Sequence, residues 1–177
     1  MDLDPLLVQR AVEANASLHP KLSFAPLDLL GPEQEVEQVL QGFLEQHGRN
    51  EFDLICVFRW VSKDVFIKLI SCHLSVTMWV HLHHGDSGLH SMLHKLANLS
   101  RRLLVEPQPW KCYKTAERRA KRAGEEPFPA MKDLKIRGPG VEQGVLDMCK
   151  EAGMEVEEEY GETKWSRRVV LLKKVEN

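Results

Sequence analysis

The sequence predicts an α/β three-layer sandwich that lacks its first strand. Three observations carry this expectation. Segments of helical period alternate with short apolar runs, the chain opens on a helix with no strand before it, and it closes on a two-strand hairpin. At 177 residues, 43% hydrophobic and 28% charged, the composition is that of one globular domain, so residues 1–177 are expected to fold as a unit.

Asp4 and Pro5 supply an N-cap and a first helical position, and LLVQRAVEANA continues at helical period to about residue 16. Leu22 to Leu30 (LSFAPLDLL) starts like a strand and leaves Asp28 at a strand-to-loop junction. Gly31, Pro32 and Glu33 open a second helix, with Val36, Val39, Leu40, Phe43 and Leu44 on one face. Phe52 to Phe58 (FDLICVF) reads as a buried strand of the parallel kind. Arg59 to Leu74 follows with no clean alternation and no turn signal before it.

Ser75 to Gly88 reads as a polar, His-rich turn, and Gly88 to Ser100 as an amphipathic helix built on Leu89, Met92, Leu93, Leu96 and Leu99. RLLVEP is a second buried strand, ending in Glu106, Pro107, Gln108, Pro109 and Trp110. Open α/β sheets place ligands at such strand ends. Residues 111–122 carry Lys111, Lys114, Arg118, Arg119, Lys121 and Arg122 against the single acid Glu117. LKIRGPG reads as a short strand and turn, Val141 to Ala152 as a helix closed by Gly153, and the remainder as the hairpin.

The formal net charge of −2 excludes a global basic field, so any nucleic-acid contact must be a local patch. No apolar run is long enough for a membrane span, and the start lacks a secretory pattern. The four cysteines are far apart, as expected of reduced thiols in a cytosolic or nuclear protein. No GxGxxG or Walker pattern surrounds Gly85 to Gly88. His81, His83, His84 and Asp86 are dense, but no cysteine joins them, and His90 and His94, four apart, fail the HExxH pattern because position 91 is Ser and not Glu, so no metal is expected.

Several acids and aromatics have two open readings. Asp2 is either a ribose-binding acid or a terminal residue beside a cap, and Asp28 either an adenine partner or a loop acid. His81 is either a base or phosphate contact near neutral pH or a structural residue. Glu106, at the end of an apolar strand, needs a donor: a backbone amide, His81 or a substrate hydroxyl. Trp110 and Tyr113 beside the basic cluster are the combination that stacks bases and holds phosphates, or else border a solvated helix face.

LVEPQPWKCYK (Leu104–Lys114) and SVTMWVHLHHGDSGL (Ser75–Leu89) resemble the bicoid-interacting-protein-3 domain, a family of S-adenosylmethionine-dependent RNA methyltransferases. The likeness is greatest to the branch that O-methylates RNA 5′-monophosphates, on microRNA precursors and histidine tRNA. MDLDPLLVQRA, LSFAPLDLL, FDLICVF and ETKWSRR resemble further strands and the closing hairpin of that family.

The resemblance implies a Rossmann-like class I methyltransferase fold, incomplete because the first strand and its glycine turn are missing, with Arg59–Leu74 as an insertion. It implies S-adenosyl-L-methionine as cofactor, bound by Asp2, Leu3, Asp28, Leu29 and Phe58. Thr77, His81 and Glu106 would be catalytic, and Trp79, Gln108, Trp110, Lys111, Tyr113, Arg118 and Arg119 would meet the RNA. Methyl transfer to a phosphate oxygen needs in-line positioning and charge neutralisation more than a strong base. The rival expectation is a catalytically inactive RNA-binding remnant of the same fold. In either case the chain is expected to be a cytoplasmic monomer with no membrane partner.

Overall fold

The computed structural model describes residues 5–14, 27–28, 30–53, 55–56, 76–126, 128–162 and 167–175. The chain divides into two compact units, residues 1–50 and 51–177. In the first, helix α1 spans Pro5–Ala14 and α2 spans Glu33–Gln46. Helix α2 buries Val36, Leu40 and Leu44, the one-turn spacing that the sequence predicts.

The second unit is built on a mixed sheet of four described strands: β1 (Ile55–Cys56), β2 (Arg102–Val105), β3 (Met154–Glu162) and β4 (Arg168–Lys174). Their order is β1-β2-β4-β3, with β1 parallel to β2 and the other pairs antiparallel. Leu103 and Val105 on β2 and Val170 and Leu172 on β4 are fully buried, and they sit opposite one another in register. The apolar run RLLV is thus an inner strand, as its lack of polar alternation implies. Between β1 and β2 runs helix α3 (Val76–Leu99), followed after β2 by α4 (Trp110–Ala123) and α5 (Val141–Glu151). Helix α3 packs on β2 and α5, and α5 packs on β3. This is a mixed α/β architecture, as expected.

Two expectations need correction. The turn expected over Ser75–Gly88 is helical from Val76, broken only at Gly85, whose φ of 69° and ψ of −172° suit glycine alone. Both halves of α3 bury apolar faces: Met78 and Leu82 before the kink, Leu89, Met92, Leu93 and Leu96 after it. The strand expected in LKIRGPG does not form. The N–H groups of Lys135 and Ile136 donate to the Asp86 carboxylate at 2.9 Å each, and a 3₁₀ turn follows at Gly138–Gly140.

Of the expected FDLICVF strand, Ile55–Cys56 pairs with Leu103–Leu104 and Phe52 makes an isolated bridge to Ser100. Leu54, Val57 and Phe58 lie outside the described residues, as do the segment Arg59–Leu74 and the strand-like start at Leu22. Helix α5 ends as predicted: Gly153, at φ 81°, donates its N–H to the Lys150 carbonyl at 2.9 Å.

Candidate functional site

Pro109 is extended and precedes α4, so residues 106–109 run from the end of β2 to Trp110 without joining either element. Pro cannot donate within a helix, and the alternation Glu–Pro–Gln–Pro keeps this run open. Glu106 and Gln108 are nevertheless buried. Gln108 Nε2 donates to Glu106 Oε2 at 2.7 Å and to the Glu106 carbonyl at 3.2 Å. Arg167, just before β4, donates from Nη1 to the same Oε2 at 3.4 Å and lies 3.8 Å from Cys112 Sγ through Nη2.

The donors to Glu106 are therefore side chains of Gln108 and Arg167, a pairing not among the three donors expected. Burial pushes the Glu106 carboxyl up to about 7, against the Gln108 hydrogen bond and the Arg167 charge.

His81 is fully buried on α3. Its Nδ1 lies 3.0 Å from the Tyr113 hydroxyl and its Nε2 3.2 Å from Asp86 Oδ1. Burial holds the imidazole below its ordinary range, although Asp86 opposes this. Burial alone would raise the Asp86 carboxyl, but the Lys135 and Ile136 N–H groups and His81 together hold it low. Tyr113 is also fully buried, which pushes its phenol up, and its ring is enclosed instead of presented to solvent.

One turn earlier on α4, Trp110 stacks on Tyr113 with centroids 5.1 Å apart and planes at 27°. Trp110, Lys111, Lys114, Thr115, Glu117, Arg118, Met131 and Lys132 line a groove of about 560 Å³. Arg118 is braced along its rim, donating from Nη2 to Thr115 Oγ1 at 3.2 Å. Arg119 is exposed and does not line the groove. The far wall, Met131 and Lys132, was not singled out by the sequence, because its one cation lies outside the basic run on α4.

Trp79 is half-buried on α3, stacked on His83 and edge-on to Phe128 at 5.6 Å. Thr77 is buried, and its Oγ1 has no hydrogen-bond partner among the described residues. Asp28, in the first unit, is exposed and accepts the Leu30 N–H on Oδ1 at 3.0 Å, as a loop acid does. Asp2, Leu3, Leu29 and Phe58 lie outside the described residues. Among the described residues no three His, Cys, Asp or Glu side chains gather as a metal site.

A mixed sheet thus ends a buried strand in a hydrogen-bonded acid, and the helix that follows lines an aromatic and basic groove, within an α/β protein. The chain belongs to the Bicoid-interacting protein 3 (Bin3) family, whose profile matches residues 68–174. It is 40% identical over 172 residues to the RNA 5′-monophosphate methyltransferase of Bos taurus, covering 97% of this chain and 53% of that protein. It is 37% identical over 173 residues to the pre-miRNA 5′-monophosphate methyltransferase of Danio rerio, covering 98% of this chain and 61% of that protein. The chain spans little more than half the length of these curated relatives. No described helix is long and apolar enough to cross a membrane.

Proposed function

We propose that the chain works as an S-adenosylmethionine-dependent RNA methyltransferase whose acceptor is a 5′-monophosphate, as on a microRNA precursor or a tRNA. The observation that carries this is a buried Glu106–Gln108–Arg167 cluster at the end of β2, followed directly by the helix whose Trp110, Lys111, Lys114 and Arg118 line a groove with Lys132. A carboxyl that titrates near 7 can meet a phosphate in its neutral form, donating a hydrogen bond where an ionised acid would repel it. It can equally accept the proton of a monoanionic phosphate and so expose a better nucleophile. Gln108 fixes the carboxyl's orientation, and Arg167 offsets the negative charge.

Lys111, Lys114, Arg118 and Lys132 hold the RNA backbone and Trp110 in the groove wall meets a base, with Trp79, packed against His83 and Phe128, as a further RNA contact. The buried Tyr113 serves by supporting Trp110.

The cofactor supplies an electrophilic methyl group when bound. In the second unit the buried Thr77 Oγ1, with no hydrogen-bond partner among the described residues, fits one of its polar groups, and Asp28 belongs to the proposed cofactor set by family likeness alone. Asp2, Leu3, Leu29 and Phe58 complete the proposed cofactor set, within a Rossmann-like class I fold carrying Arg59–Leu74 as an insertion. A cytoplasmic monomer fits this function.

The test combines calorimetry with S-adenosylhomocysteine and transfer of a labelled methyl group to RNA bearing either a 5′-monophosphate or a 5′-hydroxyl. Transfer to the first RNA alone is expected. Retained RNA binding with no cofactor binding would replace this function with that of an inactive RNA-binding module.

A further inference from the structure

We propose that Asp86 aligns both walls of the basic groove, acting through a neutral His81 that is a positioning residue and carries no proton to or from the substrate. This rests on the groove being the RNA site.

Proton accounting fixes the arrangement. Asp86 accepts at every described contact: Oδ1 takes the Ile136 N–H and His81, and Oδ2 takes the Lys135 N–H. An ionised carboxylate is acceptor-only, so His81 Nε2 must carry the hydrogen that points at it. Full burial of the ring favours its neutral form, and a neutral imidazole has one N–H, which leaves Nδ1 as a lone pair facing the Tyr113 hydroxyl at 3.0 Å. Only the phenol can supply the proton of that bond. The chain of donors therefore runs Tyr113 O–H to His81 Nδ1, and His81 Nε2–H to Asp86. Both edges of the ring are used, and none is left for a phosphate.

The mechanical consequence reaches both sides of the groove. On one side, His81 meets Tyr113 edge-on at 5.6 Å, and Tyr113 carries Trp110 on its ring face. On the other, the Asp86 carboxylate holds Lys135 and Ile136, which continue the segment that supplies Met131 and Lys132. The same segment is tied to α3 by the Ala130 N–H on the Leu82 carbonyl at 3.4 Å. The Gly85 kink sets Asp86 at the start of the second half of α3. One acid thus reaches Trp110 through His81 and the Tyr113 ring stack, and the segment bearing Lys132 through the Lys135 and Ile136 N–H groups.

The primary test needs no substitution and no RNA. Long-range proton–nitrogen NMR of the full chain at neutral pH is expected to show His81 as the Nε2–H tautomer, with Nδ1 shifted as a hydrogen-bond acceptor. An Nδ1–H tautomer, or an imidazolium, would overturn the proposal. Conversion to imidazolium on addition of 5′-monophosphorylated RNA would also overturn it, because that is the behaviour of a base.

The second test uses Tyr113→Phe, which keeps the ring and removes the hydroxyl. It is expected to shift the Trp110 indole resonance and weaken binding of 5′-monophosphorylated RNA about tenfold, the loss of roughly one buried hydrogen bond. Unchanged Trp110 signals and unchanged RNA affinity would sink the coupling. Wild-type chain that shows the expected tautomer but binds no RNA would overturn the proposed function and leave the hydrogen-bond assignment standing.

Discussion

Glu106 and Arg167 meet at 3.4 Å across 61 residues of chain, joining the end of β2 to the start of β4. The side chain of Glu106 is 1% exposed and that of Arg167 18%, so the pair lies where water screens little. Even so, the cation does not restore an ordinary acid, because burial outweighs it and the carboxyl titrates near 7. A buried pair of this kind is poor ground for stability and good ground for a site.

The first prediction is a pH dependence. In the unfolded chain Glu106 titrates near 4.5, and in the fold near 7. Between those values the folded state keeps a proton that the unfolded state has released, so stability falls as pH rises. The interval corresponds to a loss on the order of 3 kcal/mol once pH exceeds 7. Denaturant melts at several pH values should show this slope, and Glu106→Gln should flatten it while abolishing methyl transfer. A Glu106→Gln profile parallel to wild type would show that the proton resides elsewhere.

Charge in the groove is the second. Arg118→Glu and Lys132→Glu should each weaken RNA binding about tenfold at moderate salt and lower the salt slope by about one counterion. Arg119→Glu, outside the groove lining, should act only through the screened field and change affinity by less than about threefold. Fluorescence titrations across a salt series check all three. Equal losses at Arg118 and Arg119 would mean that the helix face, and not the groove, holds the RNA.

The strand β2 and its polar end were legible because an apolar run stops at a Glu–Pro–Gln–Pro sequence that no helix or inner strand accommodates. The closing hairpin and Gly153 were legible for the same local reasons. The site's partners were not. Arg167 is 61 residues from Glu106, and Asp86 finds its N–H donors 49 and 50 residues away, distances over which no periodicity speaks. Gly85, Asp86, Ser87 and Gly88 read as a turn by type. Tertiary contacts turned them into a kinked helix, since Asp86 is satisfied far away and both flanks bury apolar faces. Tyr113 misled in the same way: its type suits a base platform, but its burial beside His81 was set by the packing of α4 on α3.

Gly144 on α5 supplies the third prediction. A Cβ there would collide with Ile136 Cγ2, and Ile136 is held in place by its N–H on Asp86. Alanine normally gains about 1 kcal/mol over glycine in a helix. Here the collision should reverse the sign, and Gly144→Ala should destabilise by about 1–3 kcal/mol, as overpacking does. Ile136→Ala should rescue it in part, and a double-mutant cycle measures that coupling. Additive losses would mean that the two side chains do not meet.

Gly85 supplies the last. Its φ of 69° with ψ of −172° lies in backbone space that L-residues with a Cβ scarcely enter. An added Cβ would find only ordinary contact, with Ala130 Cβ at 3.7 Å, so any cost comes from the backbone and not from crowding. Gly85→Ala should therefore destabilise by about 1–3 kcal/mol, or abolish the kink by continuing one straight helix through Asp86. These outcomes separate cleanly. A strained but retained kink lowers the melting temperature and keeps the Nε2–H signature of His81. A straightened α3 swings Asp86 away from Ile136, so that signature is lost and the Lys135 and Ile136 amides exchange faster. Both outcomes require the helix break to be specific to glycine, and an unchanged melt with an unchanged His81 signal would refute that requirement.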